Sequence, residues 1–403
     1  MAGTAALADL RLVEVARDPS GMARFLRVPH DVYRGDAHWV APILSDRKKV
    51  LSDENPFFAH ARMALWVAAR GGRDVGSIAA IVDDHHNARH REATAFFGFF
   101  ESVNEPAVSR LLFGAVRAWA RRLGMTRLVG PMNPSINEEC GLLVEGFDTP
   151  PVLMMTYNPP YYPGLCEDAG LTPCKDLFAY RVALDDSRMA RLERLAARAL
   201  ERVPGVTIRP IDKRALPRDL AKVQEVYNAA WEDNWGHVPM TPAEVDFMAK
   251  RLTPLIDEEL ILLAESPAEP LAFIIALPDH NEALGRLRGR LLSPRLLLAL
   301  PYLVGIRRPR MVRVIAMGIK PAYRKRGLDA ALFARCLRAM LRAGFEAAEV
   351  SWVLDDNVLM RRIGEMFGGT LYKTYRLYEG PIPPDGEERR RAADRGRAGP
   401  STA

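Results

Sequence analysis

Residues 314–332 read VIAMGIKPAYRKRGLDAAL, and this stretch decides the fold. Val314, Ile315, Met317 and Ile319 predict an apolar strand. Pro321 stops it, because proline cannot donate to a sheet ladder. From Leu328 onward the apolar residues Leu332, Cys336, Leu337, Met340 and Leu341 recur at helical spacing. Between strand and helix lies a short basic loop, Tyr323-Arg324-Lys325-Arg326-Gly327. Such a strand, basic glycine-bearing turn and helix start make an anion site. The first helical N–H groups lack partners, the dipole is positive there, and Gly327 lets a ligand approach the main chain.

Downstream, residues 349–354 (EVSWVL) predict a second strand. Asp355-Asp356-Asn357 then caps a helix to about Met366, Gly368-Gly369 ends it, and residues 371–378 (LYKTYRLY) predict a closing strand. Arg324-x-x-Gly327 after a strand resembles the coenzyme A pyrophosphate loop of the GNAT acyltransferases, and the order of elements is similar to the C-terminal half of a GNAT domain. The resemblance implies an acyl-CoA donor. It places donor contacts at Met317, Gly318 and Ile319 on the strand, and at Arg324, Lys325, Arg326, Gly327, Leu328, Asp329 and Ala330 in the loop and helix start. It also places Asn357 against the pantetheine arm. Two positions depart from the family pattern. Asp329 stands where Gly or Ala is usual, and Gly364 stands where a tyrosine often protonates the leaving thiolate.

A chain of 403 residues predicts two domains. With 48% hydrophobic and 26% charged residues it is globular in composition and able to bury a sizeable core. The net charge of +6 suits CoA, a negative membrane surface or nucleic acid without choosing among them. Cys140, Cys166, Cys174 and Cys336 form no CxxC pair, which predicts reduced thiols and a cytoplasmic protein. The N-terminus lacks the apolar region of a signal peptide, and no run reaches the ~18 apolar residues of a membrane span. Residues 383–403, rich in Arg, Gly and Asp, are expected to be disordered.

The first half repeats the order of the second. Strand-like runs at 61–70, 75–83 and 93–101 precede a helix over 106–124, a strand at 126–130, a helix over 160–169 and a strand at 175–182. The expected fold class is therefore α/β, with α+β mixed sheets, in two tandem GNAT-like domains. These span 8–183 and 205–380, joined by a charged linker helix within 184–204. The first copy has no cofactor loop. Its turn, Ser102-Val103-Asn104-Glu105-Pro106 after Glu101, has no glycine and is a poor phosphate site.

Several residues are candidates for chemistry. In the first copy, the loops from Gly130 to Gly141 and on to Tyr162 place Asn137, Glu139 and Tyr157 beyond a strand end. In the second copy, Trp231, Asn234 and Trp235 are expected on the acceptor side, where the GNAT resemblance puts a helix pair. Asp279 follows a strand near the presumed thioester and is the first candidate for a general base, with His280 and Glu139 behind it. His85, His86 and His90 invite a metal reading, but polar residues in a strand-to-strand connection explain them, and no metal is expected. Residues 285–310 exceed a minimal GNAT domain. Arginines bracket the uncharged run 296–306, which suits a membrane interface, the lining of an acyl channel, or a core helix.

Over most of its length the chain is similar to bacterial double-GNAT proteins, through NPSINEECGLLVEGFDTPPVLMMTYNPPYY, NWGHVPMT, YRKRGLD and DDNVLMRRIGEMFGGTLYKTYRLYE. Part of that group resembles the bacterial ceramide synthases, which move a long acyl chain from CoA to a sphingoid amine. The expected function is thus acyl-CoA-dependent N-acyl transfer to a lipid-like amine, in contact with anionic membrane at the inner surface. Nucleic acid is not an expected partner. The alternatives are acetyl transfer to a small-molecule or protein amine, aminoacyl transfer from tRNA, and a non-catalytic GNAT-fold protein that binds nucleic acid or regulates.

Overall fold

The computed structural model describes residues 9–366 and 368–384. Most of the tail over 383–403 lies outside the described residues. Strands β1 (Arg11–Val15), β2 (Ala61–Arg70), β3 (Arg73–Asp83), β4 (Thr94–Ser102) and β5 (Arg127–Gly130) form one side of a large mixed sheet. The loops beyond β5 hold the short strands β6 (Met132–Asn133), β7 (Glu139–Cys140) and β8 (Leu142–Glu145), and β9 (Thr172–Ala183) ends the first half. The second half runs β10 (Thr207–Pro210), β11 (Ile261–Glu265), β12 (Pro270–Pro278), β13 (Met311–Ile319), β14 (Ala347–Leu354) and β15 (Thr370–Pro381).

The two halves repeat one plan. In each, an antiparallel meander ends in a parallel pair, β4 with β5 and β13 with β14. A helix connects each parallel pair, Pro106–Arg122 in the first half and Leu328–Arg342 in the second. The first has Pro106 at its start, where a missing N–H costs nothing, and buries Val108, Leu112, Phe113, Val116 and Ala120 on one face. The second buries Leu328, Leu332, Cys336 and Met340 in the same way. The expected linker helix spans Met189–Glu201 and packs against Leu328–Arg342.

The closing strands are exchanged. The sheet order is β1-β2-β3-β4-β5-β15-β9-β14-β13-β12-β11-β10, with β8 also on β15. Thus β15, from the second half, pairs with β5, and β9, from the first half, pairs with β14. Side chains lock the exchange. Arg376 on β15 forks onto both oxygens of Asp176 on β9 at 2.7 Å, a bidentate pair of the stronger kind. Buried Lys373 gives its ammonium to the carbonyls of Gly146 and Thr149, the latter at 2.8 Å. Leu143, Val152 and Leu177 from one half share a core with Tyr375 and Leu377 from the other.

Candidate active site

The phosphate-binding features expected of residues 324–330 stand at the start of the helix Leu328–Arg342. Gly327 is its N-cap with φ of 88°, a left-handed conformation that glycine adopts without strain, and no side chain caps the helix. Lys325 is also left-handed, at φ 62°. Arg324 ties the loop down by donating to the Ala230 carbonyl at 2.6 Å, while Lys325 and Arg326 are exposed. Asp329 lies in the first turn, where a carboxylate complements the helix dipole. Gly318 is glycine for a packing reason: an added Cβ would stand 2.6 Å from the Phe273 ring. These residues fit a nucleotide pyrophosphate. The equivalent helix start in the first half does not, because its N-cap is Glu105, held by both guanidinium nitrogens of Arg70 at 2.6 Å.

Parallel pairing of β13 with β14 stops at Val314–Val350, so the two strands part beyond that point. The register shift opposite Ile275 and Ala276 marks a bulge at Ile315 on β13. The backbone from Ile315 to Met317 therefore borders an open wedge. A cavity of about 290 Å³ opens there. Its walls are largely apolar and include Val223, Met248, Ala249, Leu252, Ile275 and Leu277. The first half contributes Ile136, Met154 and Leu177. Met317 and Asn357 line it too, and Asn357 also caps the next helix by accepting from the Met360 amide at 3.1 Å.

The expected acceptor residues divide. Trp231, Asn234, Trp235 and Asn137 all line this cavity. Trp231 donates its indole N–H to the Met317 carbonyl at 3.4 Å, and Asn137 accepts from the Tyr227 hydroxyl at 2.6 Å. Tyr157 lies elsewhere, with its hydroxyl on Asp36 at 3.1 Å, in a separate cavity of the first half.

The three expected bases also stand apart from this cavity. Asp279 is buried, and its Oδ1 accepts from the amides of Leu153 at 2.9 Å and Asn281 at 3.1 Å. Burial raises its pKa to about 7. It holds the 151–155 segment of the first half against the second, together with Arg313, whose guanidinium donates to the Leu153 and Met154 carbonyls. His280 reaches the Leu255 carbonyl at 3.4 Å. Glu139 is ion-paired with Arg47.

Several titratable groups line the cavity, among them Glu138, which is paired with Arg251, and Tyr227 and Arg313; a further one is His237, which was not among the sequence candidates although it lies in the NWGH run. It is 2% exposed and its Nε2 has no hydrogen-bond partner. Burial, reinforced by Arg89 and His90, lowers its pKa to about 4, so the ring is neutral. The rings of Tyr227 and Trp231 pack around it at 5.4 and 6.4 Å. A buried imidazole with a free nitrogen is the one signal that could have singled it out, and burial is not visible in the sequence.

Gly364, at the position of the family tyrosine, packs under Tyr180 of the exchanged strand β9. A Cβ there would lie 3.2 Å from the ring. The segment 285–310 does not line the cavity. It forms the helices Asn281–Leu287 and Leu296–Leu303 and leaves Leu292 96%, Leu297 72% and Ile306 79% exposed. Among the described residues no helix is long and apolar enough to cross a membrane. His85, His86 and His90 sit on the helix Asp84–His90, which makes the expected connection between strands β3 and β4. Among the described residues no group of three or more His, Cys, Asp or Glu side chains is placed to hold a metal. Cys140, Cys166 and Cys336 are buried free thiols, and Cys174 is half-buried.

No family model matches the chain. It is 36% identical over 380 residues to "Bacterial ceramide synthase" of Caulobacter vibrioides, covering 92% of this chain and 97% of that protein. It is 33% identical over 376 residues to "Protein YghO" of Escherichia coli K12, covering 92% and 95%. Among solved structures, the tandem GNAT protein from the clavulanic acid biosynthesis pathway superposes with a TM-score of 0.55 at 13% identity, over 94% of this chain and all of that one. A GCN5-related N-acetyltransferase from Sphaerobacter thermophilus gives 0.51 at 12% identity, over 93% and 96%. With this identity over nearly its full length, and with a tandem GNAT fold, the chain belongs to the bacterial ceramide synthase family of acyltransferases.

Proposed function

We propose that the protein transfers a long acyl chain from acyl-CoA to the amine of a lipid-like acceptor. The observation that carries this reading is the apolar cavity of about 290 Å³ beside the parting of β13 and β14. A methylene occupies about the ~30 Å³ of a liquid water, so the space suits a chain on the order of ten carbons. Its walls are largely apolar, as an alkyl chain requires. The pyrophosphate belongs at Gly327 and the helix start, with Arg324 fixing the loop. The thioester belongs in the wedge, where the backbone between Ile315 and Met317, near Gly318, can polarise its carbonyl.

His237 is the group we assign to take the proton from the attacking nitrogen. Its neutral, unpartnered Nε2 can accept that proton as the tetrahedral centre forms and the amine nitrogen acidifies. The C–N bond forms, the C–S bond breaks, and the thiolate leaves as CoA. Asp279 then acts as a positioning residue for the Leu153–Met154 wall.

The exposed leucines of residues 291–306, set among Arg288, Arg290, Arg295, Arg307 and Arg308, support work at an anionic membrane surface. The test is turnover with CoA thioesters of two to eighteen carbons, with and without anionic vesicles. A long donor should be preferred, and the protein should sediment with the vesicles. If acetyl-CoA is the best donor, the small-molecule acetyltransferase reading replaces this one.

A further inference from the structure

A second cavity, of about 330 Å³, lies on the first-half side of the wedge. It sits beside the parallel pair β4–β5, as the apolar cavity sits beside β13–β14. Its character is opposite. The helix Asp84–His90 contributes His86 and His90, the helix Pro242–Leu252 contributes Glu244, and strands and loops contribute His60, Asp83, Glu92, Arg127, Ser135, Glu232 and Asp233.

Its charges do not balance. His60 lies between two carboxylates, 2.9 Å from Asp83 and 3.3 Å from Glu244. Burial opposes its protonation, but those two partners outweigh it and raise its pKa to about 9. Arg127 is taken by Glu92 and by Glu379. With His60 and Arg127 each already shared between two carboxylates, Glu232 and Asp233 at the exposed rim add further negative charge, offset in part by Arg89, which donates to the Glu232 carbonyl at 2.9 Å. A cavity of this kind favours a cationic guest.

The two cavities share walls. Ile136, Asn137, Asn234 and Trp235 line both. Gly236 and Val238 face the polar cavity while His237 between them faces the apolar one. His237, whose Nε2 has no partner, thus lines the apolar chamber between two residues that line the acidic one. A guest with a primary ammonium at one end and an alkyl chain at the other matches both.

We propose that the first-half cavity is the binding site for the ammonium end of the acceptor, so that the copy without a cofactor loop serves as the acceptor-recognition half. Only the fate of the amine rests on the acyl-transfer reading above; binding itself does not. The carboxylates hold the acceptor as its ammonium form; one proton passes to water before attack, which makes the nitrogen nucleophilic, and the second goes to His237 as the C–N bond forms.

Calorimetry on the full chain without any CoA compound tests the site directly, with hexylamine, hexanol and hexanoate as probes. Hexylamine should bind more tightly than either, and added salt should weaken it. Paired Glu232→Gln and Asp233→Asn substitutions, both at exposed positions, should weaken hexylamine about five- to tenfold and leave hexanol unchanged. A separate Ser135→Trp variant, which fills the chamber without altering its charge, should abolish hexylamine binding while CoA still binds. Equal affinity for hexylamine and hexanol, tighter hexanoate binding, or hexylamine binding insensitive to both variants would overturn the proposal. Charge-dependent amine binding without long-chain turnover would sustain this site and remove the acyl-transfer reading instead.

Discussion

Ala249 offers a direct measure of what the apolar cavity does. It lies on the helix Pro242–Leu252, is 8% exposed and lines the cavity wall. Ala249→Leu adds three carbons to a space of about 290 Å³. If an acyl chain fills that space, roughly three of its methylenes are displaced. At ~0.8 kcal/mol each, the loss is about 2.4 kcal/mol, or a factor of roughly 60 in kcat/KM. The loss should fall on donors long enough to reach Ala249 and spare the shorter ones, so the optimum chain length should move down. Thiol release from a series of CoA thioesters, two to eighteen carbons, reads this pattern. Overpacking alone costs about 1–3 kcal/mol of stability and would lower activity with every donor equally, so thermal unfolding is recorded in parallel. A uniform loss across the series, or no change for the longest donors, would refute the placement of the acyl chain.

Three further substitutions probe the remaining parts. Gly327→Val forces a β-branched residue into φ 88° at an uncapped helix start, and CoA binding by calorimetry should disappear, whereas Glu105→Gln should leave it intact. His237→Gln should lower kcat by at least a hundredfold with little change in the KM for acyl-CoA; retention of kcat would remove His237 from proton transfer. Asp279→Asn should retain turnover and alter the pH dependence of stability. Its native pKa of about 7 lies above the ~3.9 of an unfolded aspartate, so the native state loses stability as pH rises from about 4 to 7 and does not recover it above. The asparagine variant should lack that fall, worth up to about 4 kcal/mol, in unfolding curves taken from pH 4 to 8. A collapse of kcat in this variant at unchanged stability would return the base role to Asp279.

The parts of the site that depend on local sequence were legible in it. Gly327 between basic residues and a helix start needs only chain order to be read, as does Asn357 before its helix. Trp231, Asn234 and Trp235 were legible as a group, and all three line the apolar cavity. What failed to show was whatever depends on long-range pairing. Asp279 looked catalytic because strand ends often carry function, but its carboxylate is spent on the Leu153 amide from the other half of the chain. Residues 296–306 read equally as a channel, a membrane face or a core helix, because hydrophobicity does not say which side of a helix meets solvent. The exchange of β9 and β15 leaves no local trace at all, since each strand has the same alternating pattern in either partner.

That exchange also accounts for the missing tyrosine, and Gly364→Tyr tests the account. In a self-contained domain, the strand beside β14 would come from the same copy. Here it is β9, and Tyr180 of that strand lies over Gly364, with ring atoms 3.2–3.4 Å from where a Cβ would stand. A Cβ added at Gly369 would stand 3.3 Å from the Cβ of the same residue, so the turn after the helix is also close against it. A phenol at 364 would have to displace Tyr180 and separate β9 from β14, so Gly364→Tyr should cost more than the ~1–3 kcal/mol usual for an overpacked core. Its melting temperature should fall, and kcat should not rise. The chemistry tolerates the vacancy: a thiol of pKa near ~8.5 makes a thiolate that departs at neutral pH with only water to protonate it. A Gly364→Tyr protein that stays folded and turns over faster would mean that the space exists, that a general acid was lacking, and that Tyr180 does not occupy its place.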